Sequence, residues 1–202
     1  MTARIDKTVV SGVFSLDGQD FDVDNNVWLV GDDDEVLVID APHDAAPILD
    51  AVGGRRVTAI VLTHGHNDHI TAAVALRDAV DAPISFHPAD RMLWDVVHPG
   101  VEPDEDLAEG TRFTVAGTTL TALHTPGHSP GSTCLHAPDL ATVFTGDTLF
   151  HGGPGATGRS YSDKPTILNS IQSRLLTLHG DTVVRTGHGD DTTIAAELRT
   201  VH

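Results

Sequence analysis

Apolar positions in the first half of the chain fall in short runs separated by polar turns. β-like runs occupy residues 8–14 and 26–40, and the acidic turn 31–34 predicts a hairpin within the second run. The unbroken run 57–62 is typical of a strand buried on both faces. Residues 47–52 and 71–80 instead place strong helix formers at helical spacing. The first half is therefore expected to combine strands and helices.

The second half follows an acidic, proline-bearing connection at residues 95–110. The pattern predicts strands at 112–115, 118–123, 132–135, 142–145 and 183–185, and helices over 166–176 and 192–201. Strands and helices in both halves, with β-meanders between them, favour a mixed α/β fold of two mixed β-sheets packed face to face with helices outside. A chain of 202 residues suits a single domain over 1–202.

Charge and composition narrow the range of partners and the expected location. Twelve Lys and Arg residues against 29 Asp and Glu give a formal net charge of −17, which repels nucleic acid and anionic membrane surfaces. No stretch approaches the roughly 20 apolar residues of a membrane span, and the first residues lack the apolar segment of a secretory signal. The lone Cys134 excludes an intrachain disulfide. We therefore expect a cytoplasmic protein that acts on a small molecule.

The segment 63–69, Thr-His-Gly-His-Asn-Asp-His, directly follows the buried strand predicted at 57–62. Burying polar groups costs roughly 1–3 kcal/mol each when they lack a partner, so a cluster of imidazoles and a carboxylate at a strand end indicates a metal site. His64 and His66 are two residues apart and can point to one side. Asp68 and His69 are adjacent, so their side chains diverge and suit a neighbouring ion. The segment predicts one metal ion or two.

Three further polar residues also lie just after predicted strands and beside glycines. They are His128, Asp147 and His188. Glycine allows the backbone to turn sharply and to approach a bound ion. Delivery of such residues from four separate strand ends favours one shared metal centre.

The order His-x-His-x-Asp-His, followed by His, Asp and His, resembles the metallo-β-lactamase superfamily. Segments 63–69, 124–128 and 146–150 resemble its glyoxalase II branch. The resemblance covers residues 27 to 189 and implies a four-layer αβ/βα sandwich with a dinuclear site at one edge. It implies seven metal ligands: His64, His66 and His128 for the first ion, Asp68, His69 and His188 for the second, and Asp147 as the bridge.

The resemblance also implies an activity, namely hydrolysis of a thioester of a small thiol by a metal-bridging hydroxide. Asp68 would orient the attacking hydroxide as well as bind metal. Mixed imidazole and carboxylate ligation favours two Zn²⁺ ions and tolerates Fe²⁺ or Mn²⁺. Two divalent ions, two carboxylates and one hydroxide leave a net charge of about +1, which attracts an anionic substrate such as a thiol conjugate.

The sequence departs from full-length glyoxalase II enzymes in two respects. Only 14 residues follow His188, so we expect the C-terminal region that helps those enzymes bind glutathione to be missing. Their Gly-Cys-Gly-Arg-type segment is replaced by the glycine-rich segment 151–159. In the loop 150–164, the candidate contacts to a substrate carboxylate are Arg159, Tyr161 and Lys164.

Other functions remain open at this point. The first is a persulfide dioxygenase-like oxidoreductase with one Fe²⁺ on His64, His128 and Asp147, and the second is a hydrolase of other esters or lactones. A non-catalytic binding domain is disfavoured by the complete ligand set. A β-lactamase is disfavoured by Asp147, where many β-lactamases have cysteine, and a nuclease is disfavoured by the acidic composition.

Overall fold

Two long strands, β1 (Arg4–Leu16) and β2 (Gln19–Gly31), open the fold as an antiparallel hairpin. The structure is a computed structural model, and it describes residues 3–201. The hairpin is much longer than the runs 8–14 and 26–30 predicted. Its distal half carries aspartates at alternate positions of β2, namely Asp20, Asp22 and Asp24, so residues 20–24 alternate between polar and apolar as a strand does, a signal that the prediction did not use. Backbone pairing of the two strands extends the hairpin beyond its buried part.

The hairpin begins the first six-stranded sheet. The other strands are β3 (Glu35–Ile39), β4 (Arg56–Val61), β5 (Ile84–Phe86) and β6 (Glu105–Asp106), and the order is β1-β2-β3-β4-β5-β6. Strands β3 to β6 are parallel. The helices of this half are α1 (Ala45–Val52), α2 (Asn67–Ile70), α3 (Ala73–Val80) and α4 (Arg91–Val97). The parallel strands direct their carboxyl ends toward one edge of the sheet.

The second sheet also has six strands: β7 (Arg112–Val115), β8 (Thr118–His124), β9 (Thr133–Ala137), β10 (Thr142–Gly146), β13 (Val183–Thr186) and β14 (Thr192–Thr193). Their order in the sheet is β14-β13-β10-β9-β8-β7. A small ribbon of β11 (Leu149–Phe150) and β12 (Gly153–Pro154) follows β10, and the helices are α5 (Lys164–Ser170) and α6 (Ile194–Glu197). Only β10 and β13 are parallel in this sheet, as far as the described residues show.

Alternating side chains of the central strands fill two different cores. On β3, Leu37 and Ile39 face the second sheet and pack with Phe144 and other residues of that sheet. Val36 and Val38 face the opposite side and pack against the helices of the first half. A third core joins the outer face of the second sheet to α5 and α6. The four layers confirm the expected αβ/βα sandwich.

Several predicted boundaries differ from those in the structure. The connection 95–110 contains the end of α4 and the short strand β6. The helix predicted over 166–176 begins at Lys164, because the side chain of Asp163 caps it by accepting from the Thr166 N–H at 2.9 Å, and it continues as a π-helical segment, Ile171–Leu175. The helix predicted over 192–201 shrinks to Ile194–Glu197. That the whole chain forms one domain stays a prediction.

The longest helices in residues 3–201 are far shorter than a bilayer is thick, and none of them could cross a membrane.

Candidate metal centre

The histidines and aspartates singled out from the sequence converge at one edge of the sandwich. His64 and His66 lie in the loop after β4, and Asp68 and His69 lie on α2. The other three residues follow β8, β10 and β13 and are His128, Asp147 and His188. Parallel strands bring their carboxyl ends to the same edge, which is where ligands bind in open α/β sheets.

The first group consists of three imidazoles whose ring nitrogens face one point. His66 Nδ1 lies 3.0 Å from His64 Nε2 and 3.0 Å from His128 Nε2. All three side chains are buried. Three nitrogens bound to one tetrahedral ion at 2.0–2.1 Å would lie roughly 3.3 Å apart, so the spacing suits a single ion.

The second group lies beside the first. His188 Nε2 is 3.2 Å from His69 Nε2 and 3.3 Å from Asp68 Oδ2. The Asp147 carboxylate lies between the two groups, with Oδ1 3.3 Å from His69 Nε2 and Oδ2 3.6 Å from His128 Nε2. Asp147 Oδ1 is buried and has no hydrogen-bond partner among the described residues. The Asp147 carboxylate therefore lies close to histidines of both groups.

The remaining ring nitrogens of four histidines contact oxygen atoms outside the two groups. His69 Nδ1 lies 2.8 Å from Asp40 Oδ2, and the corresponding contacts are His64 with Thr63 Oγ1 at 3.1 Å, His128 with the Ala156 carbonyl at 2.9 Å and His188 with the Asp24 carbonyl at 2.8 Å. An Nδ1–H donated to these oxygens leaves the Nε2 lone pair directed into the site. These contacts therefore orient the imidazoles as metal ligands require.

The electrostatics of the two groups are opposite. Burial lowers the pKa of His66 to about 3, and the same cause together with neighbouring histidines lowers the pKa of His64 well below its ordinary value. In the second group, burial disfavours charge, but the carboxylates of Asp147 and Asp68 outweigh it and raise the pKa of His188 to about 10. His64 and His66 are thus neutral, and the second group contains the carboxylates of Asp68 and Asp147, so both groups suit cations.

Two polar residues of the site were missed in the sequence analysis. Asp40, at the end of β3, accepts from the Thr63 backbone N–H at 2.7 Å as well as contacting His69. Asn25 donates from Nδ2 to Asp68 Oδ2 at 3.1 Å, and its Oδ1 lies 2.8 Å from His43 Nε2. The available signal was a polar residue at the boundary of a buried run, since Asp40 ends the run 36–39 and Asn25 comes just before 27–30.

A cavity of about 520 Å³ opens above the two groups. Its walls come from the hairpin and the loop 156–162, and include Phe14, Phe21 and Arg159. The Arg159 guanidinium stacks 4.5 Å from the Phe21 ring centre. Tyr161 is half exposed and lines a separate groove, and Lys164, the first residue of α5, does not line the cavity. Of the three substrate-contact candidates, only Arg159 faces the site.

Comparison with known proteins places this architecture in a family. Residues 21–188 match the family described as "Metallo-beta-lactamase superfamily". The chain belongs to this superfamily. "Probable metallo-hydrolase YqgX" of Bacillus subtilis is 34% identical over 186 residues, which is 85% of this chain and 88% of that protein. "Hydroxyacylglutathione hydrolase GloC" of Haemophilus influenzae is 31% identical over 190 residues, 86% of this chain and 90% of that protein.

Solved structures of the superfamily agree with the fold. The BLEG-1 B3 metallo-beta-lactamase has a TM-score of 0.80 and 29% sequence identity, and the match covers 95% of this chain and 98% of that one. TTHA1623 in a di-iron-bound form has a TM-score of 0.79 and 34% identity, with 88% of this chain and 94% of that one covered. The predicted superfamily, fold and glyoxalase II-like relatives are confirmed. The metal ligand assignment and the cytoplasmic location stay predictions.

Proposed function

We propose that this superfamily member is a metal-dependent hydrolase that cleaves the thioester of a small, anionic thiol conjugate into a carboxylic acid and a free thiol. The observation that supports it most is the position of the Asp147 carboxylate between two ligand groups, within 3.6 Å of His128 in the first and of His69 and His188 in the second. The named hydrolase relatives support the reaction class.

The residues present fit two divalent ions. His64, His66 and His128 would bind the first ion, Asp68, His69 and His188 the second, and Asp147 both. The buried, unpartnered Oδ1 of Asp147 supports this assignment, since a buried carboxylate oxygen normally has a partner. Imidazole and carboxylate donors favour Zn²⁺, while the likeness to a di-iron protein keeps Fe²⁺ as the alternative.

Bound ions of this kind supply hydroxide at neutral pH and polarise an acyl carbonyl. The chain's own contribution is to position the reacting groups. Asp68 is fixed by the amide of Asn25, so one oxygen stays oriented toward the second group, where it would hold and direct the nucleophile's proton. Cys134 takes no part as a nucleophile, because it is fully buried within β9.

The cavity supports an acyl conjugate with an anionic end. Phe14, Phe21 and Val23 give it an apolar wall, while Arg159 is its one arginine or lysine among the described residues. An anionic group of the substrate would accept charge-assisted hydrogen bonds from the Arg159 guanidinium. It would not compete for these donors with the acidic side chains of the site. Arg159 is therefore the proposed substrate anchor.

Elemental analysis of the purified protein, followed by assays after exchange into Zn²⁺, Fe²⁺ and Mn²⁺, tests this function. We expect two ions per chain and cleavage of thioesters in preference to lactones and persulfides. Asp68→Asn should lower turnover strongly, whereas the exposed Asp181→Asn, a matched control, should not. One iron per chain with oxygen uptake on persulfides would favour the oxidoreductase alternative and contradict the proposal.

A further inference from the structure

Asp90 is a buried carboxylate outside the ligand groups. It ends the short 3-10 turn Pro88–Asp90, immediately before α4, and its exposed fraction is 0%. Three donors surround it. Oδ2 accepts from the Gly65 backbone N–H at 2.8 Å and from Ser129 Oγ at 2.6 Å, and Oδ1 accepts from the Gly131 backbone N–H at 2.6 Å.

These donors belong to the two loops that carry the first ligand group. Gly65 lies between His64 and His66, and Ser129 directly follows His128. The loops are more than 60 residues apart in sequence, and a single carboxylate is bonded to both of them. Asp90 therefore joins the two loops that carry the three imidazoles.

The packing leaves little freedom at this junction. A Cβ added at Gly65 would lie 2.9 Å from Leu93 Cβ and 3.0 Å from Asp90 Cβ, and one added at Gly131 would lie 2.7 Å from Asp90 Cγ. Real Cβ atoms essentially never show contacts below 3.0 Å. Glycine at both positions allows the two backbones to reach the carboxylate, so loops and carboxylate form one close-packed unit.

We propose that Asp90 is a positioning residue that preorganises the first ligand group for its ion. It fixes the loop of His64 and His66 relative to the loop of His128, and so sets the separation that the three imidazole nitrogens need. This inference rests on the metal ligation proposed above, and it concerns metal affinity rather than the chemical step.

Asp90→Asn is the discriminating variant. The asparagine amide keeps the side-chain volume but can accept hydrogen bonds only at its oxygen. Its NH₂ group, itself a donor, must therefore face a backbone N–H or the Ser129 hydroxyl that the carboxylate accepted from. The matched control is Asp104→Asn, a partly exposed aspartate that accepts from the Ile84 N–H at 2.9 Å and belongs neither to the ligand groups nor to the cavity lining. Zn²⁺ affinity is measured by chelator competition at a temperature where every apo protein is folded. His188→Ala supplies a background in which only the first group is intact.

In that background we expect Asp90→Asn to weaken Zn²⁺ binding about 10- to 100-fold, the effect typical of groups that support metal ligands. Asp104→Asn should leave the affinity unchanged. An Asp90→Asn protein with a lower unfolding temperature but unchanged Zn²⁺ affinity would overturn the proposal. If that variant does not fold, Ser129→Ala removes one of the three donors, and unchanged Zn²⁺ affinity there would overturn it equally. If the wild-type chain does not bind Zn²⁺, the proposed function is contradicted. That result can be distinguished from failure of the Asp90 proposal, because it is obtained with the wild type and not with a variant.

Discussion

The side chain of Asn67 accepts a hydrogen bond from the backbone N–H of Ser15 at 2.8 Å. Its Nδ2 also donates to the Val13 carbonyl at 2.8 Å, so the amide bonds to edge strand β1 as a neighbouring strand would. Phe14 lies between these two peptide groups, and its ring packs 5.2 Å from the His66 ring. Asn67, which lies between the predicted ligands His66 and Asp68, therefore attaches the β1–β2 hairpin, a wall of the cavity, to the ligand segment.

Asn67→Ala should loosen this wall without disturbing the ions. One net hydrogen bond contributes about 0.5–1.5 kcal/mol, and both bonds are exposed, so losing two at the low end of that range should raise KM for a thioester substrate roughly 5-fold while kcat changes little. Initial rates give this split, and metal analysis should still find the wild-type content. Faster hydrogen exchange at the Ser15 amide would confirm the cause. A fall in metal content at unchanged KM would contradict it.

Much of the fold was predictable because the buried strands carry an unambiguous pattern. The run 57–62 is apolar at nearly every position since β4 is covered on both faces, by helices on one side and by the second sheet on the other. The distal half of the hairpin was only partly predictable. Residues 20–24 of β2 alternate between polar and apolar as a strand does, but residues 11–16 of β1 do not, and Phe14 and Phe21 line a cavity rather than a core.

The candidate site likewise has a part that could be predicted from the sequence and a part that could not. The resemblance named seven residues, and the structure brings all seven together. It gave no indication of Asn25 or Asp40, whose only signal is a polar residue beside a buried run. It gave none of Asp90 either, because hydrogen bonds to two distant loops leave no local spacing to detect. Arg159, Tyr161 and Lys164 were equivalent in sequence. Only the path of the loop 156–162 across the hairpin separates Arg159 from the other two.

Arg159→Ala should impair anionic substrates selectively. A hydrogen bond to a charged group contributes about 1.5–3 kcal/mol, which corresponds to a roughly 10- to 100-fold loss in kcat/KM. A glutathione thioester and the neutral N-acetylcysteamine thioester of the same acyl group are the probes, and we expect the loss only with the first. Lys164→Ala is the control, since Lys164 does not line the cavity. Equal losses with both probes would show that Arg159 acts only through its contacts with Phe21 and Gln19.

Cys134 should be unreactive in the folded protein. Burial raises the pKa of its thiol to about 11, and its exposed fraction is 0%. At pH 8 a thiol with that pKa is only about 0.1% thiolate, the nucleophilic form. Iodoacetamide at pH 8 should leave the native chain unmodified for hours and alkylate one site per chain in guanidinium chloride, and Cys134→Ser should show no labelling in either state. Rapid labelling of the native chain would mean that β9 opens locally.

His87 and His124 form a stacked pair away from the metal centre, with ring centres 4.2 Å apart and planes inclined by 14°. His124 Nε2 lies 2.9 Å from the Pro130 carbonyl, while His87 Nδ1 accepts from the Ala89 N–H at 3.2 Å. Burial lowers the pKa of His87 to about 4, and the neighbouring His124 acts in the same direction, against a smaller opposing effect of Asp106.

This shift makes His87 a source of acid sensitivity. Between pH 6.5 and 4 the unfolded chain binds a proton at His87 and the folded chain does not, so the free energy of unfolding must fall as the pH falls through that window.

Urea unfolding of the wild type and of His87→Gln at pH 7.5, 6, 5 and 4.5 measures the effect. We expect the difference between the two to be constant above pH 7 and to shift in favour of His87→Gln as the pH falls toward 4.5. His179→Gln, whose side chain is 82% exposed, is the matched control and should parallel the wild type. Parallel curves for His87→Gln and the wild type would show that His87 takes up its proton equally in both states.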